Sequence, residues 1–205
     1  ERPSRAMRQI RQMAPDCSVS IDTYRASVAE TAVKELGADI INDISGTNLD
    51  PEMVSTIARL KVPYVLTHSR GTLRDMHEFT DYENVTPDVL SELGDRLQWL
   101  ALEGVNDVII DPGIGFSKTL AQNYRLIHDL EVFNILHRPV LMGISRKSLI
   151  TKLLNITPND ALNATTALNM CCLDRGADIL RVHDVKAARQ AVEIYCAVSR
   201  PDTII

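Results

Sequence analysis

The chain has 205 residues, with 22 lysines and arginines against 27 aspartates and glutamates and a net charge of −5. That length fits one large domain spanning residues 1–205 with a real core. The acidic balance excludes a broadly basic face for nucleic acid, so a small molecule is the expected partner. "ERPSRAMRQIRQMAPD" at the N-terminus is charged throughout, unlike a signal peptide. No apolar run approaches the roughly 20 residues of a membrane span. No membrane partner is expected, and the expected location is the cytoplasm, with a mitochondrial one open if a targeting segment precedes this sequence. Cys17, Cys171, Cys172 and Cys196 lack CxxC spacing and are expected as reduced thiols in the core.

Residues 4–13 read as a leading helix, and "SVSID" (18–22) follows as the first strand. A helix over about 25–36 sets Ala26, Ala29, Val33 and Leu36 on one face and stops at Gly37. "ADIIND" (38–43) is the second strand, and Asp50 with Pro51 reads as cap and first residue of the next helix. "PYVLTH" (63–68) then runs into a long polar loop, residues 69–84, of the kind that covers ligands. Thr86 with Pro87, or Ser91, would start a helix ending near Glu103. "DVIID" (107–111), "PVLMG" (139–143) and "DILRV" (178–182) complete six strand candidates.

At "LGAD", "LEGVNDVII" and "DRGADIL" a glycine ends one helix and the next strand begins at once, the grammar of a repeated βα unit. Such repeats build either a doubly wound sheet or a barrel. The strand ends carry Asp22, Asn42, His68, Asp111, the turn from Ser145 to Lys147, and Arg181 with His183. A barrel would gather all of them at one mouth. The expected fold is therefore an α/β (β/α)8 TIM barrel, incomplete, with about six of eight strands visible. The first two units are the expected absentees, which would leave 18–22 and 178–182 as open edges, so the sequence reads as a fragment.

"DPGIGFSKT" is not a Walker A loop, because Ser117 precedes Lys118, and it lacks the third glycine of a dinucleotide fingerprint. Two readings remain: a glycine-dependent strand-to-helix turn, or a turn presenting Asp111 to the edge of a planar, amidine-like ring. Asp22 could cap a helix or join that site. Asn42 offers both donor and acceptor. Ser145, Arg146 and Lys147 stand at a helix start, where the dipole disfavours cations, which points to ligand chemistry. Arg181 and His183 share a strand face and, with Lys147, suit a diphosphate. His77, His128 and His137 are expected at the surface or in loops.

"SIDTYRASVAETAVKELGADIINDISG", "DPGIGFSKTLAQN", "GISRKSLI" and "RGADILRVHDV", in this order from about Val19 to the C-terminus, resemble the dihydropteroate synthases, folate-pathway enzymes of the pterin-binding (β/α)8 family. The SRK and RVHDV motifs discriminate against the methyltetrahydrofolate-binding methyltransferases, which share the acid and the asparagine for pterin. The resemblance implies a sulfonamide-targeted transferase that joins 6-hydroxymethyl-7,8-dihydropterin diphosphate to p-aminobenzoate and releases diphosphate. It implies that Asp111, Asn42 and Asp22 hold the pterin and that Lys147 approaches its carbonyl. Arg181 would stack on the pterin and hold diphosphate with His183, and Phe116, Ser145 and Lys147 would border the aminobenzoate pocket. Asp22, Lys147 and Arg181 would be catalytic.

Mg2+ is implied as the companion of the diphosphate. Its family ligand, an asparagine, belongs to a first loop N-V-T-P-D-S-F-S-D-G-G that this sequence lacks, as it lacks a second loop E-S-T-R-P-G. "NITPND" at 155–160 follows the SRK motif and is read as a coincidental turn. A homodimer through C-terminal helices is also implied, with Ala187, Ala188, Val192 and Ile194 on the relevant surface. The competing reading is a non-catalytic pterin-binding remnant of a longer polypeptide.

Overall fold

The computed structural model describes residues 2–72, 74–76 and 78–203. Helix α1 spans Arg2–Met13, and six βα units follow. They are β1 (Ser20–Asp22) with α2 (Ala26–Lys34), β2 (Ile40–Asp43) with α3 (Met53–Leu60), and β3 (Tyr64–Thr67) with α4 (Val85–Leu102). Then come β4 (Val108–Asp111) with α5 (Leu120–His128), β5 (Leu141–Met142) with α6 (Ser148–Leu154) and α7 (Leu162–Asp174), and β6 (Ile179–Leu180) with α8 (Val185–Ser199). All six expected strands form, each shorter than its apolar run.

Every pairing is parallel, in the order β1-β2-β3-β4 and β5-β6, and a bridge between Ile110 and Val140 links the two sets. This strictly sequential order separates the fold from a doubly wound sheet, whose strand order reverses at a switch point. It is the order of a β/α barrel. Among the described residues β1 and β6 pair on one side only. The sheet nevertheless curls far enough that the Arg181 guanidinium after β6 meets the Asp22 carboxylate of β1.

Side chains alternate between the two faces of each strand. Ile41, Tyr64, Leu66, Val108, Ile110, Val140 and Met142 face outward and form the main core with Ala29, Ile57, Val89 and Leu93 from the helices. The opposite face carries a second cluster of Val65, Ile109 and Leu141, with Ile40 and Ile179 against it. Two residues further along that inner face stand Asn42, Thr67, Asp111, Gly143 and Arg181, and Asp22 pairs in register with Asn42. Alternation thus floors the mouth with aliphatic side chains and rims it with polar ones.

Two helix starts differ from expectation, and carboxylates accept N–H groups beside them. The Asp50 carboxylate accepts the Ala26 N–H at 2.8 Å and the Glu52 N–H at 3.0 Å, so it serves two helix starts, and α3 begins at Met53 rather than at Pro51. Helix α4 begins at Val85, ahead of both candidates. Asp88 in its first turn accepts the Glu83 N–H, Thr86 donates to Asp129, and Ser91 lies inside the helix. The cysteines also correct the sequence reading: only Cys172 is buried, while Cys17, Cys171 and Cys196 are exposed. Adjacent helical residues point about 100° apart, so Cys171 and Cys172 cannot share the core face. His128 and His137 are exposed as expected, and His77 lies outside the described residues. Among the described residues no helix is long and apolar enough to cross a membrane.

Two glycines bring loops onto the end of β3. Gly46 has φ +59° and a Cβ there would lie 2.5 Å from the Thr67 carbonyl oxygen; at Gly113, with φ +73°, a Cβ would lie 1.9 Å from that of His68. Gly104 also has a positive φ, +88°, but faces open space. Gly113→Ala is therefore expected to lower stability by about 3 kcal/mol, from backbone strain and overpacking together, and Gly104→Ala by only about 1 kcal/mol. Urea denaturation of both variants measures the difference, and equal losses would contradict the close approach.

Candidate functional site at the strand ends

Asp111 is the last residue of β4 and is buried. Its Oδ1 accepts the Gly113 N–H at 2.8 Å, which leaves lone pairs for a ligand. Burial pushes its pKa up, against Lys147, the Gly113 N–H, Lys118 and Arg181, which favour the anion. Asn42, also buried, donates from Nδ2 to Asp22 Oδ1 at 2.7 Å, while its own Oδ1 is buried without a partner. An unpaired buried acceptor costs about 1–3 kcal/mol, so a donor from a ligand has a place waiting. Asp22 binds the Arg181 guanidinium through its other oxygen. Among the described residues no helix N–H donates to Asp22, so this polar chain replaces the capping alternative.

Lys147 reaches the same space from the start of α6. Its Nζ donates to the Ile114 carbonyl at 2.6 Å and lies 4.9 Å from the centroid of the Phe116 ring. Burial lowers its pKa, and Asp111 opposes the shift. Gly143 leaves room between Lys147 and Arg181, since a Cβ there would touch both at 3.8 and 3.9 Å. One step further out, buried Ser145 presents Oγ to the His183 N–H at 3.2 Å and to His183 Nδ1 at 3.1 Å. The structure therefore gathers Asp22, Asn42, Asp111, Phe116, Lys147 and Arg181 around one mouth and sets Ser145 with His183 beside it.

Arg146 departs from the ligand role that its position suggested. It adopts a left-handed conformation, φ +56°, and grips Asp184 through Nε at 2.8 Å and a terminal nitrogen at 2.6 Å. Its charge ties the exit of β5 to the exit of β6.

A second polar network behind the mouth was not visible in the sequence. His68 follows inward-facing Thr67 and so points outward, where its Nε2 meets Glu92 Oε2 at 3.0 Å and its Nδ1 meets Lys118 Nζ at 3.0 Å. Glu92 on α4 also binds Arg70, whose guanidinium lies 3.8 Å over the Tyr82 ring. Burial drives the His68 pKa down to about 4 despite Glu92. Desolvation works against the Glu92 anion, but hydrogen bonds from His68 and Arg70 outweigh it and hold the pKa at about 2. The only sequence signal was the alternation that turns His68 away from the mouth.

Fold and site together define a β/α-barrel protein with a polar mouth at the C-terminal ends of its strands. The family described as "Pterin binding enzyme" matches residues 1–183. The chain is 40% identical over 182 residues to the dihydropteroate synthase of Bacillus subtilis (strain 168), covering 88% of this chain and 61% of that protein. Two structural relatives are dihydropteroate synthases. The enzyme of Thermus thermophilus in complex with 6HMPPP is 34% identical with a TM-score of 0.86, covering 91% of this chain and 74% of that one. The Yersinia pestis enzyme with a sulfonamide drug complex is 31% identical with a TM-score of 0.91, covering 98% and 73%. The chain belongs to the pterin binding enzyme family, and it spans about three fifths of the length of its B. subtilis relative.

The His68 pKa is depressed in the folded protein from 6.5 to about 4. Unfolded chains therefore bind more protons over that interval, and stability is lost as pH falls from about 6.5 towards 4. Thermal melts across this range are expected to show that decline, with a flatter one in His68→Gln and a separate Glu92 loss below about pH 4.5 in both. An unchanged slope in His68→Gln would contradict the buried neutral imidazole.

Proposed function

We propose that this chain binds 6-hydroxymethyl-7,8-dihydropterin diphosphate and condenses it with p-aminobenzoate to give dihydropteroate and diphosphate. The observation that carries the reading is the buried Asn42–Asp111 pair, with an unpartnered amide oxygen and a carboxylate held in one rim. A pterin edge presents adjacent N–H donors to a carboxylate, and an amide supplies the complementary donor and acceptor. Family membership and the Thermus relative's complex with 6HMPPP support it.

In the reaction the bond between the methylene carbon and the diphosphate oxygen breaks, and its electron pair leaves with diphosphate. The amine nitrogen of p-aminobenzoate forms the new bond to that carbon and gives up a proton. Arg181 and His183 are proposed to take the developing charge of the diphosphate. As Arg181 turns to it, Asp22 is freed to stabilise positive charge spreading into the pterin. Lys147 approaches the pterin carbonyl, and Phe116, Ser145 and Lys147 bound the place of the amine, so that orientation is fixed before bond formation.

Magnesium is proposed to arrive as the counterion of the diphosphate substrate. Among the described residues no group of three or more His, Cys, Asp or Glu side chains could hold a metal ion. The four cysteines are free thiols, which suits the cytoplasm. A homodimer belongs to the same proposal: α7 and α8 frame a groove of about 580 Å³ lined by Leu162, Met170, Ala187 and Ile194, and Ile194 is 58% exposed.

Incubating the purified chain with both substrates and magnesium, then separating products by chromatography, is expected to yield dihydropteroate. Asp111→Asn is expected to reduce the yield about 100-fold. Saturable pterin binding without product would contradict the transferase reading for this chain and leave a binding module.

A further inference from the structure

Lys118 is a buried cation that takes no part in the reaction just described. Its ammonium has three donors and three acceptors at hand: the Gly113 carbonyl at 3.0 Å, the Phe116 carbonyl at 2.9 Å and His68 Nδ1 at 3.0 Å. Glu92 fixes the tautomer, because a carboxylate on Nε2 requires the proton there and leaves Nδ1 as an acceptor. Arg70 in turn anchors Glu92. The two carbonyls belong to the turn that follows Asp111, and they bracket the residues that matter for the site. Gly113 gives its N–H to the Asp111 carboxylate, Ile114 receives Lys147, and Phe116 lies against that same ammonium. The far side of the turn is held by Asn123, whose side chain accepts the Gly115 N–H at 2.6 Å.

We infer that Lys118 is a positioning residue for this site: held by His68 and Glu92, it clamps the Gly113 and Phe116 carbonyls and so sets the aim of Asp111, Lys147 and Phe116. The inference rests on the pterin reading for its functional consequence but not for the clamp itself. The charged groups facing Lys118 are Asp111 and Glu92, which favour the ammonium, and Lys147 and Arg70, which oppose it. Burial dominates and lowers its pKa to about 7. The third donor is therefore present below that pH and withdrawn above it, in a range open to experiment.

Amide hydrogen exchange of the ligand-free chain tests the clamp, followed by calorimetric titration with 6-hydroxymethyl-7,8-dihydropterin diphosphate and magnesium at pH 6 to 8.5. In the wild type, protection of the Gly113, Gly115 and Phe116 amides is expected to fall relative to Ile41 as pH rises through 7. Lys118→Met, with folding checked by circular dichroism, is expected to lose about tenfold protection at those amides and to bind the pterin about tenfold more weakly at pH 6. That affinity gap should close towards pH 8.5, whereas a lysine that only filled space would leave a gap independent of pH. Protection unchanged in a folded variant would overturn the inference. Should Lys118→Met not fold, Lys118→Gln is measured in its place, with the same loss expected and unchanged protection overturning the inference. A clamp seen by exchange in a chain that never binds the pterin would confirm the positioning of the turn and refute the pterin reading separately.

Discussion

Parallel pairing of all six strands is the constraint on which everything else rests. It sends every strand's C-terminal end to one side, and the alternation of side chains then decides what each end contributes. Ile40, Val65, Ile109, Leu141 and Ile179 close the floor. Asn42, Thr67, Asp111, Gly143 and Arg181 follow two residues later on the same face. A slip of one residue in any strand would bury its rim residue among the helices and expose an aliphatic one to the mouth.

That geometry explains how two carboxylates, an amide and two cations occupy one small space. Asp22, Asn42 and Arg181 form a chain across the curl of the sheet, so Asp22 and Arg181 neutralise each other at the two edges. Asp111 sits opposite with Lys147 near enough to favour its charge. The rim is balanced in charge but not saturated in hydrogen bonds, and the orphan Oδ1 of Asn42 marks where the balance waits for a ligand. The turn at residues 111–118 answers the question its two glycines pose. Gly113 is there because the turn lies against the His68 carbonyl, and the lysine that closes the turn folds back under it rather than onto a phosphate.

Much of this was legible in the sequence, because rim and floor depend on local patterns: six short aliphatic runs, five of them leading to a polar rim residue, and glycines where helices hand over to strands. What stayed hidden depends on residues far apart in the chain. The His68–Lys118 contact spans 50 positions and the His68–Glu92 contact 24. Neither Lys118 nor Glu92 stands at a strand end, where the eye looks for chemistry. Arg146 misled for a related reason: its position at a helix start suggested ligand binding, yet the partner that consumes its charge, Asp184, lies 38 residues away. The helical cysteines misled because hydrophobic residue type alone does not say which side of a helix a residue takes.

Under the proposed function, six parallel units form a mouth that binds a pterin. Calorimetric titration of the wild-type chain with 6-hydroxymethyl-7,8-dihydropterin diphosphate and magnesium tests it most directly. Saturable binding of one ligand per chain is expected, abolished by filling the rim through Gly143→Leu. A chain folded by circular dichroism that shows no saturable heat at millimolar ligand would contradict it.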